Sequence, residues 1–331
     1  MISASPRPAH SIMVLYTGGT IGMQASANGL TPASGFEQRM RDGLSTRTDL
    51  APWRFREMAP LIDSANMTPQ YWLRLRTAII EAVDAGCDAV LVLHGTDTLA
   101  YSAAAMTFQL LGLDVPVLFT GSMLPAGVDD SDAWENLTGA LEALTAGQPA
   151  GVQLFFHGHL LPPHRTAKVR SYGRQPFVAL DRNATADETI ALPTTLDYRQ
   201  PRQPVDIVVL PLVPGISADL LRAVIHSGAQ GLILECFGSG TGPSDDADFL
   251  AALEQAHSRD LVVVAITQCH EGGVELDIYE AGSRLRQAGV LSGGGMTREA
   301  AFGKLQLLLG SGLPVEDVRR LVEQDLAGEL R

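Results

Sequence analysis

Ile12-Met13-Val14-Leu15-Tyr16-Thr17-Gly18-Gly19-Thr20-Ile21-Gly22 is the stretch that decides the fold. Its apolar half shows no polar alternation, the pattern of a β-strand covered on both faces in a parallel sheet. Its second half is a glycine turn carrying the hydroxyls of Thr17 and Thr20, and loops just past the carboxyl ends of such strands are where α/β proteins bind ligands. Gly18, Gly19 and Gly22 match neither the dinucleotide nor the P-loop spacing, and no lysine follows them, so a nucleotide fingerprint is excluded. One strand-Gly-Gly-Thr turn is more often structural than functional. A second turn of the same kind changes that: the apolar run Ala89–Leu93 delivers His94-Gly95-Thr96-Asp97-Thr98, with glycine, hydroxyls and a carboxylate, to its own carboxyl end. Two such loops can face one pocket.

Outward from these loops, short apolar runs alternate with amphipathic ones. Residues 24–35, rich in Ala, Ser, Asn, Gly and Pro, have no apolar period and are expected to be a mobile connection beside the reactive turn, placed as a lid would be. A short helix is expected over 36–44 and an edge strand over 55–62. Thr68-Pro69 then starts a helix with Thr68 as N-cap, whose buried stripe would be Trp72, Leu75, Ile79 and Val83. Strand 89–93, helix 99–111, strand 115–119, helix 133–146 and strand 152–156 follow. Beyond the proline-rich stretch 181–204 the alternation restarts, with strands at 207–210, 232–236 and 261–266 and helices at 217–226, 245–257, 298–309 and 315–326. This rhythm predicts an α/β protein of two doubly wound domains, the larger N-terminal one carrying the catalytic loops. The expected division is 1–190 for the catalytic domain, 191–204 for a linker and 205–331 for the smaller C-terminal domain.

Composition narrows the function. The 331 residues are 46% hydrophobic and 18% charged, an ordinary globular balance. The net charge of −13 would repel nucleic-acid phosphates, which favours a small-molecule substrate. No apolar run is long enough to span a bilayer, and residues 1–11 carry no apolar core of a secretory signal, so a cytoplasmic protein without membrane partners is expected. Cys87, Cys236 and Cys269 are odd in number and widely spaced, against a disulfide framework or a structural zinc. His94, His157 and His159 lack acidic residues at ligand spacing, so no metal and no cofactor are expected. Glu271, Glu275 and Glu280 read as a solvated acidic face.

With Tyr-Thr-Gly-Gly-Thr-Ile-Gly at 16–22 and His-Gly-Thr-Asp-Thr at 94–98, the sequence resembles the bacterial-type L-asparaginases, whose signature motifs these are. The resemblance continues through Thr120-Gly121-Ser122-Met123-Leu124-Pro125, Arg165-Thr166-Ala167-Lys168, Val213-Pro214-Gly215-Ile216-Ser217 and Thr267-Gln268-Cys269, and it is greatest to the cytoplasmic, type I branch. It implies hydrolysis of L-asparagine without a cofactor: Thr20 as nucleophile, Thr96 across the substrate, and Asp97 with Lys168 completing a Thr-Asp-Lys relay. A carboxamide hydrolase needs just such a nucleophile, proton acceptor and oxyanion donors. Asp97 suits an α-ammonium, and Ser64 with nearby backbone amides suits an α-carboxylate. The Ser122 carbonyl, by its place in the motif, would receive the leaving NH₂ group.

Two positions depart from the family. Ala65 stands where the neighbour of Ser64 is usually Gln or Ser, which removes one substrate contact, and Leu30 stands where a lid tyrosine usually helps to activate the nucleophile. The resemblance further implies a homodimer or homotetramer with active sites near subunit boundaries and, in some type I members, an effector site at Thr267-Gln268-Cys269. The alternatives are an amino-acid-binding sensor on a decayed asparaginase scaffold, a glutaminase-type amidase, and the related amidotransferase subunit, which calls for an extra tRNA-linked domain that would not fit before Ile12.

Overall fold

The computed structural model describes residues 6–26 and 29–331, so the expectation of no signal segment in 1–11 lies partly outside the described residues. Two compact units divide between Ala179 and Leu180.

In the first unit, β1 (Ile12–Gly18) is buried along its whole length. It lies between two parallel partners, which is why it carries no polar face: Ile12 pairs with Trp53 on one side and with Ala89 on the other. The hairpin strands β2 (Gln24–Ser26) and β3 (Gly29–Thr31) follow, then α1 (Phe36–Gly43), β4 (Trp53–Ile62), α2 (Pro69–Asp84), β5 (Ala89–Leu93), α3 (Leu99–Gln109), β6 (Pro116–Thr120), α4 (Ala133–Ala146), β7 (Gly151–Phe156), β8 (His159–Leu161), β9 (Thr166–Lys168) and β10 (Phe177–Ala179). The main sheet has the order β4-β1-β5-β6-β7-β8, with only β8 antiparallel to its neighbour. The chain thus steps from β1 to one side, to β4, and then crosses to the other side, to β5. That reversal opens a crevice at the carboxyl ends of β1 and β5, where ligands bind in open α/β sheets.

Local sequence accounts for the elements. The Thr68 hydroxyl caps α2 by accepting from Tyr71 N at 3.2 Å, with Pro69 in the first turn. Trp72, Leu75 and Ile79 are buried as expected, together with Ala82 instead of Val83. On one face of the sheet Val14, Leu91 and Leu118 pack with Phe36, Leu137 and Leu141. Each such buried side chain is worth about 1.5–3 kcal/mol. The stretch expected as a featureless connection instead forms the β2–β3 hairpin, with Gln24 paired to Thr31 and Ser26 to Gly29. Residues 27 and 28 lie outside the described residues.

The second unit contains β11 (Ile207–Pro211), α5 (Ala218–His226), β12 (Gly231–Cys236), α6 (Ala247–Ser258), β13 (Val262–Thr267), α7 (Glu280–Gln287), β14 (Leu291–Ser292), α8 (Arg298–Gly310) and α9 (Val315–Val322). Its parallel sheet runs β11-β12-β13-β14 in chain order, without a reversal. Leu221, Leu232, Leu234, Phe249 and Leu253 are among its core. Residues 185–190 pack inside this unit: Thr185 N and Ala186 N donate to the Leu330 carbonyl, and Ile190 N to that of Asp325. Helix α9 stops at Val322 where the amphipathic pattern predicts 326. The reason is Lys304 of α8, whose buried ammonium donates to the carbonyls of Val322 (2.8 Å) and Gln324 (2.6 Å) and pairs with Glu329 at 2.7 Å. Glu329 in turn accepts from Leu326 N and Ala327 N, pulling the chain out of the helix. No helix among the described residues is long and apolar enough to cross a membrane.

Candidate active site

Glycines bring the two reactive loops together. Gly19 lies so close to Gly95 that a Cβ on Gly19 would collide with the Gly95 backbone, and a Cβ on Gly95 would sit 2.5 Å from Ser64 Oγ. Neither loop accepts a side chain here, and Gly19 also has φ +80°, which favours glycine. Since these glycines directly precede Thr20 and Thr96, the contact sets both threonines on one crevice. Ser64 is held there as well: it is buried in a short turn after β4, and Thr98 Oγ1 donates to its carbonyl at 2.8 Å. Ala65 lies exposed on the same turn, its N–H donating to Asp63 Oδ1.

Lys168 ends β9 and reaches the second loop. Its Nζ donates to Thr96 Oγ1 at 3.0 Å and to Asp97 Oδ1 at 2.7 Å. The Asp97 side chain is 64% exposed, so water screens the pair and it is worth no more than about 1 kcal/mol to stability. The arrangement therefore orders reactive groups more than it holds the fold. A lysine touching a hydroxyl and a carboxylate can pass a proton along that line.

His94 stiffens the loop from behind. Its Nδ1 is 2.7 Å from the Gly95 carbonyl oxygen, which can only accept, so Nδ1 carries the proton. Burial pushes its pKa down to about 4, keeping the ring neutral. The His94 carbonyl occupies the place a Cβ on Gly121 would take, which brings the Gly121-Ser122 turn after β6 against the second loop. Ser122 is buried and its hydroxyl donates to Leu124 O at 2.6 Å.

The first loop is anchored at both ends of the hairpin. Arg39 of α1 donates to the Gly22 carbonyl at 2.9 Å, and Ala126 N to that of Ile21 at 3.1 Å. Past the hairpin, Ser34 Oγ and Gly35 N donate to the Glu57 carboxylate. Tyr16 packs beneath, its hydroxyl against Gly22 and its pKa pushed up by burial to about 12. Leu30, on β3, is 55% exposed.

All the residues singled out in the sequence, namely Thr20, Ser64, Ala65, Thr96, Asp97, Ser122 and Lys168, thus lie at or beside the carboxyl ends of β1, β4, β5 and β6. Asp132 and Asn136, which hold the Ser122 turn, were not singled out. Their signal was an Asp at the start of a helix with an Asn one turn later on its buried side. The acidic run is engaged only in part: Glu280 pairs with Arg284, and it opens helix α7, which sequence reading missed.

Known proteins identify the family of the chain. A family model described as asparaginase, N-terminal, matches residues 11–197, and one described as glutaminase/asparaginase C-terminal domain matches residues 206–322. L-asparaginase 1 of Escherichia coli (strain K12) is 37% identical over 97% of this chain and 98% of its own length. The solved thermostable L-asparaginase from Thermococcus kodakarensis superposes with a TM-score of 0.84 at 32% identity, covering 97% of this chain and 99% of that one. L-asparaginase I from Vibrio cholerae gives a TM-score of 0.83 at 34% identity, again over 97% and 99%.

Proposed function

Because the chain belongs to the asparaginase family, we propose that it hydrolyses L-asparagine to L-aspartate and ammonia with Thr20 as the nucleophile. The observation that carries this reading is Lys168 Nζ bridging Thr96 Oγ1 and Asp97 Oδ1 on the loop that touches Gly19.

Thr20 Oγ1 attacks the side-chain carboxamide carbon, and its proton is handed to the departing nitrogen, which leaves as ammonia. An aspartyl ester on Thr20 remains. Water then adds to that ester, losing a proton to Thr96 Oγ1 as the Thr96 proton passes to Lys168 Nζ, which takes part as the neutral amine. Collapse returns the proton to Thr20 and frees L-aspartate. Splitting one difficult displacement into two acyl transfers is what a hydroxyl nucleophile contributes. Asp97 takes the substrate ammonium, Ser64 and the amides of its turn take the α-carboxylate, and the Ser122 carbonyl accepts from the leaving NH₂ group. No metal enters these steps. The protein works in the cytoplasm as a homodimer or homotetramer, the subunit boundary lying near each active site. This assembly rests on the family resemblance, and sedimentation under assay conditions tests it.

A coupled ammonia-release assay with L-asparagine, with and without chelator, is the decisive experiment. Stoichiometric ammonia and L-aspartate, unaffected by EDTA, are expected. Ala65 and Leu30 favour one second reading, a sensor that binds the amino acid without turnover. Calorimetric binding of L-asparagine with no ammonia released would establish the sensor in place of the enzyme.

A further inference from the structure

We propose that Asp132 and Asn136 are positioning residues that aim the backbone carbonyl of Ser122 at the leaving nitrogen of the substrate. The inference rests on the asparagine-hydrolysing reading above and deepens it.

Asp132 occupies the N-cap position of α4, where a carboxylate ordinarily accepts from the first amides of its own helix. Asp132 makes no such bond. Although it is 2% exposed, it turns both oxygens backwards onto the turn after β6: Oδ1 and Oδ2 accept from Met123 N at 3.0 and 2.9 Å, and Oδ1 also accepts from Leu124 N at 3.0 Å. Asn136, fully buried one helical turn later, donates from Nδ2 to the Gly121 carbonyl at 3.0 Å and to Asp132 Oδ2 at 3.1 Å. Its Oδ1 accepts from His157 N at 2.8 Å. Every hydrogen-bonding atom of both side chains is therefore turned to holding residues 121–124 and their support.

Peptide geometry converts these contacts into a direction. The only cis bond among the described residues is Ala59-Pro60, so the peptides on either side of Ser122 are trans. In a trans peptide the C=O and N–H point opposite ways. With the Met123 N–H directed into the Asp132 carboxylate, the Ser122 C=O must point away from it. With the Gly121 C=O held by Asn136, the Ser122 N–H must likewise turn away. The Ser122 hydroxyl is consumed within the turn by Leu124 O. What Ser122 presents on its free side is its backbone, and a carbonyl there can accept from an amide N–H but gives nothing to a leaving group without one.

That difference supplies the test. Steady-state kinetics of the wild type, Asp132→Asn and Asn136→Ala are measured on L-asparagine and on the β-methyl ester of L-aspartate, whose leaving methoxy oxygen carries no hydrogen. Thermal melts of all three proteins accompany them. Loss of one well-placed hydrogen bond to the leaving group predicts that the amide-to-ester ratio of kcat/KM falls roughly ten-fold in Asp132→Asn, and in the same direction in Asn136→Ala. A merely structural role would depress both substrates equally, so unchanged ratios in an active wild-type background overturn the proposal. If Asp132→Asn does not fold, the ratio in Asn136→Ala decides in the same way. Wild-type protein releasing no ammonia from L-asparagine overturns the asparaginase reading, and this one with it.

Discussion

Each unit of the chain contains one lysine whose surroundings mark it out, and the two are used in opposite ways. Lys168 is 17% exposed, ends a strand and meets a largely exposed carboxylate and a threonine hydroxyl. Lys304 is 1% exposed, sits inside a helix and meets the fully buried Glu329 and two carbonyls of the following segment. The deeper and better-coordinated lysine is the one removed from the chemistry. Burial sustains a fold, whereas a reactive amine must stay where substrate can reach it. The sheets differ to match: strand order reverses beside Lys168's loops and runs monotonically in the unit of Lys304.

The largest expected effect lies on the Lys168 side. Thr20→Ala and Thr96→Ala should each lower kcat by ~10²–10⁴-fold with little change in melting temperature, and Lys168→Met should behave alike. Retention by Thr20→Ala of more than about a tenth of wild-type kcat would remove Thr20 from the nucleophile's role. On the other side, Lys304→Met leaves Glu329 buried without its cation and should cost ~3–5 kcal/mol of stability. Denaturant titration checks this, and kcat measured well below the transition should match the wild type. If Lys304→Met instead lost kcat while keeping its melt, the contrast between the two lysines would be wrong.

A third test concerns pH. His94 is held near 4 in the fold against about 6.5 when unfolded, so between these values the unfolded chain binds the extra proton. The stability from its neutral ring is complete above about pH 6.5 and is lost as pH falls towards 4, by up to about 3 kcal/mol. Urea midpoints at neutral and acid pH should therefore diverge more in the wild type than in His94→Gln. Equal divergence would mean that His94 is not the group responsible.

The smallest effect concerns Leu30, which cannot pass a proton and is exposed on β3. Leu30→Tyr should raise kcat roughly ten-fold with little change in KM, because a restored hydroxyl would act in the transition state alone. An unchanged or lower kcat would show that the proton path runs elsewhere.

Much of this was legible in the sequence because uninterrupted apolar runs such as Ile12–Tyr16 and Ala89–Leu93 have few structural alternatives, and because glycine followed by threonine at two strand ends is rare without a reason. The hairpin β2–β3 was not, since three-residue strands carry no period. Lys304 was hidden in a helix rich in leucine, its partners lying in a segment whose pattern continued the helix on paper. Asp132 and Asn136 escaped notice because an Asp before a helix is normally explained by capping, and only coordinates show that this one faces the other way.

Strand order also sets the timing of assembly. Ile207 pairs with Gly231 and Gly231 with Val262, so the second sheet can grow by adding each strand to the last one made. Ile12 must wait for Trp53 and then for Ala89, with β1 wedged between partners that arrive late. Closing those longer loops before any pairing compensates for them slows folding and leaves a largely apolar strand without partners meanwhile. The reversal that opens the crevice thus gives the unit synthesised first the longer exposure to aggregation, and refolding yield at high protein concentration should be limited by β1.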